Sequence, residues 1–362
     1  VMSLLIDNLE ELQAVAKERT VKTQTIEYDL ETMVKKVDRN IIQLNPEYQR
    51  KHRWSVEASS KLIESLILNI PIPFIYMSQD IDVDEELEDG VARYSVIDGQ
   101  QRLTAIHGFF KNQYSLTDLD VLGNLNGCTY SQLPPFLIRR LEERSIRCLR
   151  IDSTVDQQVK YDIFERLNSG SVKLEPQELR NATCRGPFKK LIKKLSKNSD
   201  FTNLANLDPD GKRVQKMEDE ELVLRYFALT YKDAYLQYKG GFKKFLTEKM
   251  YLLNKLSEKE IQVLNIEFLS VMKVIANNKH NAPFAKYKTE ESGELKRMST
   301  FNAAVFDAVV ALYRKGFLDG KPINSEDVTN LFRDSSFFES CQGSVNDVSK
   351  TLLRINMAKD LI

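Results

Sequence analysis

The chain is short of the residues most enzymes use for proton and metal chemistry. Its 362 residues include three histidines, His52, His107 and His280. No two are spaced as zinc ligands, and no Ser-His-Asp arrangement can be read from them. The four cysteines, Cys128, Cys148, Cys184 and Cys341, lie far apart with no C-x-x-C. That spacing excludes a disulfide scaffold and a cysteine zinc site, and it fits reduced thiols in a cytoplasmic protein. No apolar run approaches the roughly 18 residues of a membrane span, and Asp7, Glu10 and Glu11 argue against a signal peptide. No membrane association is expected. Charge of one sign is missing too. With 52 basic and 52 acidic residues, any contact with nucleic acid must come from a local patch. There is no G-x-x-x-x-G-K-[ST], so a P-loop is excluded. His280-x-x-Pro283 has a faint likeness to the start of an HNH nuclease core, but no histidine follows to complete the metal site.

What is present begins with size. A chain of 362 residues exceeds one ordinary core, so two domains are expected. Strands are expected over 23–28, 41–44, 74–78, 92–97 and 146–151, with a further strand over 114–120. Helices are expected over 3–18, 30–37, 55–69, 131–143 and 155–167. Residues 80–89 carry seven acids and read as a solvated hairpin tip. Their Asp80-x-Asp82-x-Asp84 spacing is not a calcium loop, because Glu85 and Val91 stand where that loop needs glycine and glutamate. From Pro187 onward the pattern changes. Helices are expected over 187–197, 217–236, 242–256, 258–279, 301–315, 325–332 and 345–359, with a mobile polar loop over 277–296. The expected class is therefore α+β: a mixed domain over 1–185, then an all-helical domain over 186–362.

Three stretches could carry chemistry. In Tyr94–Ile106, an alternating apolar strand runs into Asp98-Gly99-Gln100-Gln101-Arg102, and Leu103, Ile106, Phe109 and Phe110 follow at helical spacing. A strand, a tight turn and a helix start would aim unpaired backbone N–H groups and the positive helix end at one spot suited to phosphate. Arg102 adds a fork of donors. An ordinary helix start with a solvated arginine fits the same residues. In Asn45–Ser55, Arg50, Lys51, His52 and Arg53 interleave with Tyr48 and Trp54. Such a segment can hold phosphate and stack a base, or it can be a loop anchored by its two aromatic rings. In 185–197, Lys189, Lys190, Lys193 and Lys194 lie on one face of an amphipathic helix. That face can contact DNA phosphates or simply meet solvent.

Asn45-Pro46-Glu47-Tyr48-Gln49-Arg50 with Trp54, Val96–Ala105, and Phe164–Gly170 followed by Leu174–Ala182 together resemble the N-terminal domain of GmrSD-type modification-dependent restriction enzymes. More distantly they resemble the ParB/sulfiredoxin fold. The resemblance covers about residues 20–185. It implies a nucleoside triphosphate with Mg²⁺ bound by Asp98, Gly99, Gln100, Gln101, Arg102 and Thr104, with Arg50 as a second phosphate ligand and Arg166 and Asn168 closing the pocket. Asp98 and Glu165 would hold the metal, and Asp98, Gln101, Arg102 and Glu165 would act in hydrolysis. Arg53 and the four lysines of 185–197 are the expected DNA contacts. Family members couple nucleotide binding to DNA cleavage by an HNH domain. The expected partners are therefore DNA, modified DNA included, a separate HNH nuclease subunit and further copies of the chain. The expected role is a nucleotide-dependent DNA sensor in anti-phage defence or restriction. The alternative is a non-enzymatic DNA-binding adaptor or regulatory subunit, and a nuclease in its own right is the reading least supported.

Overall fold

The computed structural model describes residues 21–44, 54–79, 93–155, 157–167, 175–184, 186–278 and 282–362. The expected helix over 3–18 and the acidic tip over 80–89 lie outside these residues. The chain divides into two compact units between Leu174 and Glu175.

The first unit is built on one mixed sheet of β1 (Thr23–Asp29), β2 (Ile42–Gln43), β3 (Ile75–Gln79), β4 (Tyr94–Asp98) and β5 (Ser145–Ile151), ordered β1-β5-β3-β4-β2. β1 runs antiparallel to β5, β3 parallel to β5 and antiparallel to β4, and β2 parallel to β4. Period-two alternation puts Ile75, Met77, Tyr94, Ile146 and Cys148 into one core. Leu30 and Met33 of α1 (Leu30–Asp38), Leu62, Ile63 and Leu66 of α2 (Val56–Ile67), Leu103 and Phe109 of α3 (Gln100–Phe110), and Leu141 of α4 (Pro135–Glu142) cover it. Ile97, Tyr161 and Phe164 are buried outside that core, and there α5 (Gln157–Leu167) packs on β4.

Local chemistry sets the helix ends. Asp29 caps α1 by accepting from the Thr32 N–H at 2.6 Å, and Ser55 caps α2 by accepting from Ala58. The Pro71 and Pro73 rings forbid continuation of α2.

The expected strand over 114–120 does not form. Leu116 instead exchanges backbone hydrogen bonds with Gly127 and Cys128, and Asp118 takes a positive φ of 53°, which breaks an extended run. The loop is fastened to α2 by Glu64. Its buried carboxylate accepts the backbone N–H groups of Asp120, Val121 and Leu122 at 3.1, 2.8 and 2.7 Å. Burial pushes this carboxyl up, but the three donors and Lys61 outweigh it and hold Glu64 below the usual carboxylate range.

The second unit is helical: α6 (Pro176–Thr183), α7 (Pro187–Leu195), α8 (Ser199–Leu204), α9 (Lys212–Gln215), α10 (Glu218–Thr230), α11 (Phe242–Leu253), α12 (Glu258–Asn277), α13 (Ala303–Asp319), α14 (Ser325–Asn330), α15 (Ser335–Ser340) and α16 (Val348–Lys359). Its core is aromatic, with Tyr226, Phe227 and Phe268 in mutual contact and Phe201 against Phe268 and Phe306. Asp307, fully buried, accepts from both Arg225 and Arg354 at 2.5 and 2.9 Å. Two cations on one carboxylate leave a buried positive charge. The Phe242 ring, 4.3 Å from the Arg225 guanidinium, and the Val345 carbonyl, 2.6 Å from Arg354, offset part of its desolvation.

Two expectations are corrected here. The helix over 217–236 stops at Thr230, because Lys232 and Asp233 both adopt left-handed backbone. The polar loop over 277–296 contains an antiparallel hairpin, β6 (Tyr287–Thr289) with β7 (Leu295–Arg297). The division after Leu174 groups α6 with the helices that follow it: the buried Arg180 donates to Glu221 at 2.9 Å and to Thr247 at 3.3 Å. Among the described residues no helix is long and apolar enough to cross a membrane.

Candidate functional site

The site is the junction of β4 and α3. Opposite β3 the register slips between Tyr76, which pairs with Asp98, and Met77, which pairs with Val96. Ile97 is the extra residue of a β-bulge, a device that re-aims the side chains beside it. Gly99 follows at φ +94°, a conformation that disfavours any side chain, and a Cβ there would lie 2.3 Å from the Ile75 Cδ1 atom. The backbone conformation favours glycine here, and any side chain would also have to displace the Ile75 terminal methyl.

Gly99 is also the N-cap of α3, so no side chain caps the helix. The backbone N–H groups of Gln100, Gln101 and Arg102 form the uncapped first turn. Gln100 is buried, and the Nε2 donors of Gln100 and Gln101 are buried without a hydrogen-bond partner among the described residues. Orphan donors therefore gather at the positive end of a helix. A buried helix start without acceptors is unusual enough to need an explanation, and an anion supplies one.

Arg102 does not reach toward solvent. Its guanidinium turns inward, donating to the carbonyls of Pro73 and Phe74, the latter at 3.2 Å, and to Asp98 Oδ2 at 2.8 Å. Burial pulls its pKa below the ordinary arginine value, and Asp98 opposes that shift. In this arrangement Arg102 clamps the turn to the chain entering β3. Asp98 stays partly exposed, and its Oδ1 has no hydrogen bond among the described residues. The Thr104 hydroxyl donates back to the Gln100 carbonyl at 2.8 Å.

Asp98, Gly99, Gln100, Gln101, Arg102 and Thr104 all lie on the turn and the first turns of α3, but they diverge: Arg102 points to the Pro73 and Phe74 carbonyls, whereas Gln101 and Thr104 line a cleft beside Trp54. Glu165 and Arg166 lie exposed near the end of α5. Arg50, Arg53 and Asn168 lie outside the described residues. No group of three or more His, Cys, Asp or Glu side chains able to hold a metal occurs among the described residues. Magnesium needs less than that, since it keeps several waters and is commonly held by one or two carboxylates with phosphate oxygens. Asp98 fits that use.

Two clefts flank α3. One, of about 170 Å³, lies between Trp54 and the Gln101–Gly108 face, with Gln113 at its edge. The other, of about 380 Å³, is bordered by Asp38, Asn40, Thr104 and His107. The backbone N–H of Trp54 donates to Gln101 Oε1 at 3.1 Å, tying the only tryptophan to the turn. Sequence reasoning missed Gln113, Gly108 and the carbonyl partners of Arg102. The carbonyls lie 29 and 28 positions from Arg102, and no spacing announces any of these groups.

On α7, Phe188, Leu191, Ile192 and Leu195 are buried, and the four lysines occupy the rest of its surface. They are not equivalent. Lys189 reaches the Asn181 carbonyl and is part-buried, as is Lys193, whereas Lys190 and Lys194 are exposed.

Residues 30–184 match the family model described as the GmrSD restriction endonuclease N-terminal domain. The match includes the bulge, Gly99 and α3, and runs past the division at Leu174 into α6. No curated protein matches the chain.

Proposed function

Starting from the premise that residues 30–184 are a GmrSD-type N-terminal domain, we propose that the β4–α3 turn binds the phosphates of a nucleoside triphosphate and that the domain is a nucleotide-dependent DNA sensor in restriction or phage defence. The observation that carries this reading is the set of orphan donors at the uncapped start of α3, beside a partly free Asp98 carboxylate. The backbone N–H groups of residues 100–102 and the Gln100 amide would face phosphate oxygens. A Mg²⁺ arriving with the nucleotide would take Asp98 as its protein ligand and neutralise phosphate charge. Arg102 serves as a positioning residue, holding Asp98 and the turn in place. Hydrolysis needs an oriented water, and Gln101, Asp98 and Glu165 are the side chains proposed for that step. The DNA-cleaving half would be supplied by another domain or subunit.

Calorimetric titration of the purified chain with each nucleoside triphosphate and Mg²⁺ tests this. Saturable binding of at least one, weakened tenfold or more by Asp98→Asn, is expected. Absence of binding by all of them overturns it.

A second reading, a DNA-binding adaptor that needs no nucleotide, is favoured by one observation: Lys190 and Lys194 are exposed on a single face of α7. It requires DNA affinity that does not change when nucleotide is added.

A further inference from the structure

We propose that the cleft between Trp54 and α3 is a nucleobase seat. The proposal deepens the nucleotide reading, since the same helix would hold phosphate at its first turn and a base about one turn further on.

The cleft has the size and shape for one ring system. At about 170 Å³ it falls below the roughly 300 Å³ at which drug-sized sites begin, and it is near the ~150 Å³ cavity that takes a benzene ring. Trp54, 37% exposed, forms one wall. Gln101, Thr104, Ala105 and Gly108 of α3 also line it, and the last two, about one helical turn apart, take little of its space. A Cβ at Gly108 would sit 3.2 Å from Gln113 Oε1 and 3.6 Å from the Tyr114 ring, so that glycine keeps the cleft open. Tyr114 is fixed by its hydroxyl donating to the Ala105 carbonyl at 2.9 Å, which makes that end of the cleft rigid.

Its polar groups suit a base edge. Gln101 Nε2 is a buried donor without a partner among the described residues, while its Oε1 is held by Trp54. Gln113 offers an amide with a donor and an acceptor, and Thr104, whose proton is given to Gln100, offers lone pairs. An aromatic ring to stack on, with hydrogen-bonding groups beside it for the base edge, is how proteins hold single bases. Ala105 lies about 6 Å along the axis from Gln101, a separation one ribose can span. The base could come from a free nucleotide or from DNA with one nucleotide turned out of the stack.

Trp54 is the only tryptophan in the chain, so its emission reports on this cleft. The test is a fluorescence titration of the whole chain, paired with calorimetry, using nucleoside triphosphates with Mg²⁺, inorganic tripolyphosphate, and duplex DNA with a mismatched or an abasic position. The expected result is saturable quenching of at least twofold by a nucleoside triphosphate. Tripolyphosphate should bind without quenching. Gly108→Val and Trp54→Ala should each weaken nucleotide binding about tenfold in calorimetry while leaving tripolyphosphate affinity unchanged. Using two variants guards against a folding defect in either. If neither nucleotide nor tripolyphosphate binds, the phosphate reading of the turn fails. The base seat then stands only if mismatched DNA quenches and abasic DNA does not. Nucleotide binding with unchanged Trp54 emission and unchanged affinity in both variants overturns the proposal, as does the absence of quenching by every probe.

Discussion

Asp98 and Arg102 stand one helical turn apart across Gly99, joined by a 2.8 Å ion pair, with Arg102 also bound to the carbonyls of Pro73 and Phe74. The pair separates two roles that a motif alone would merge. Arg102→Ala removes a buried donor from three acceptors and is expected to cost about 3–5 kcal/mol. Arg102→Lys keeps the charge but loses the fork, and it should recover only part of that. Asp98→Asn preserves the shape and is expected to cost about 1 kcal/mol, yet abolish Mg²⁺-dependent enhancement of nucleotide binding. Thermal melts of the three variants beside calorimetry check this. An Arg102→Ala protein as stable as wild type would show that the inward clamp is not formed.

Gly99→Ala should fail for two independent reasons. Its φ of +94° is strained for alanine, and the new Cβ would collide with Ile75 at 2.3 Å. Strain of this kind costs about 1–3 kcal/mol before Ile75 has moved. A fall of several degrees in the melting temperature, with loss of phosphate-dependent binding, is expected. Gly127→Ala is the control: Gly127 also has positive φ, but no atom lies within 4 Å of its would-be Cβ, so only the backbone strain remains.

Much of this site was legible in the chain, and the limit has a physical cause. Gly99 between an apolar alternation and a helical repeat announces a strand–turn–helix junction, because both periods are local. The direction of Arg102 is not local. Whether it meets phosphate or carbonyl depends on where Pro73 and Phe74 run, and β3 is placed by pairing with β4 and β5 rather than by its own residues. The absent strand at 114–120 has the same explanation. Its residues suit a strand, but Glu64, more than fifty positions away, captures three of its N–H groups. In the helical unit, apolar periodicity marks most elements. The break after Thr230 and the hairpin at 287–297 leave no comparable mark in that periodicity.

Glu64 gives the first unit an acid-sensitive fastening. Its folded pKa is lowered, so its contribution to stability is fully present above the unfolded glutamate value of about 4.3 and is lost as pH falls through the lower, folded value. Melting temperature measured from pH 6 downward should therefore hold until about pH 4–5 and then fall. Glu64→Gln should start lower, by about 2–4 kcal/mol, since its amide meets three N–H donors with a single oxygen. Its decline below pH 4 should be shallower than that of wild type. Parallel curves would remove Glu64 as the source. Loosening of the 114–122 loop in this variant should also appear as faster amide exchange at Asp120, Val121 and Leu122.

The lysines of α7 separate the two functional readings. Lys190 and Lys194 are exposed, while Lys189 spends its ammonium on the Asn181 carbonyl. If this face meets DNA, Lys190→Glu with Lys194→Glu should weaken binding about uniformly across sequences and reduce the slope of log affinity against log salt by about two. Lys189→Ala should instead lower the melting temperature with little change in that slope. Adding nucleoside triphosphate then discriminates. A sensor changes its DNA affinity when the β4–α3 turn is filled, because ligands that alter each other's affinity must do so by the same factor in both directions. An adaptor does not. DNA binding unaffected by the double charge reversal would leave the basic face as a solvated helix surface and move the search for the DNA contact to the first unit.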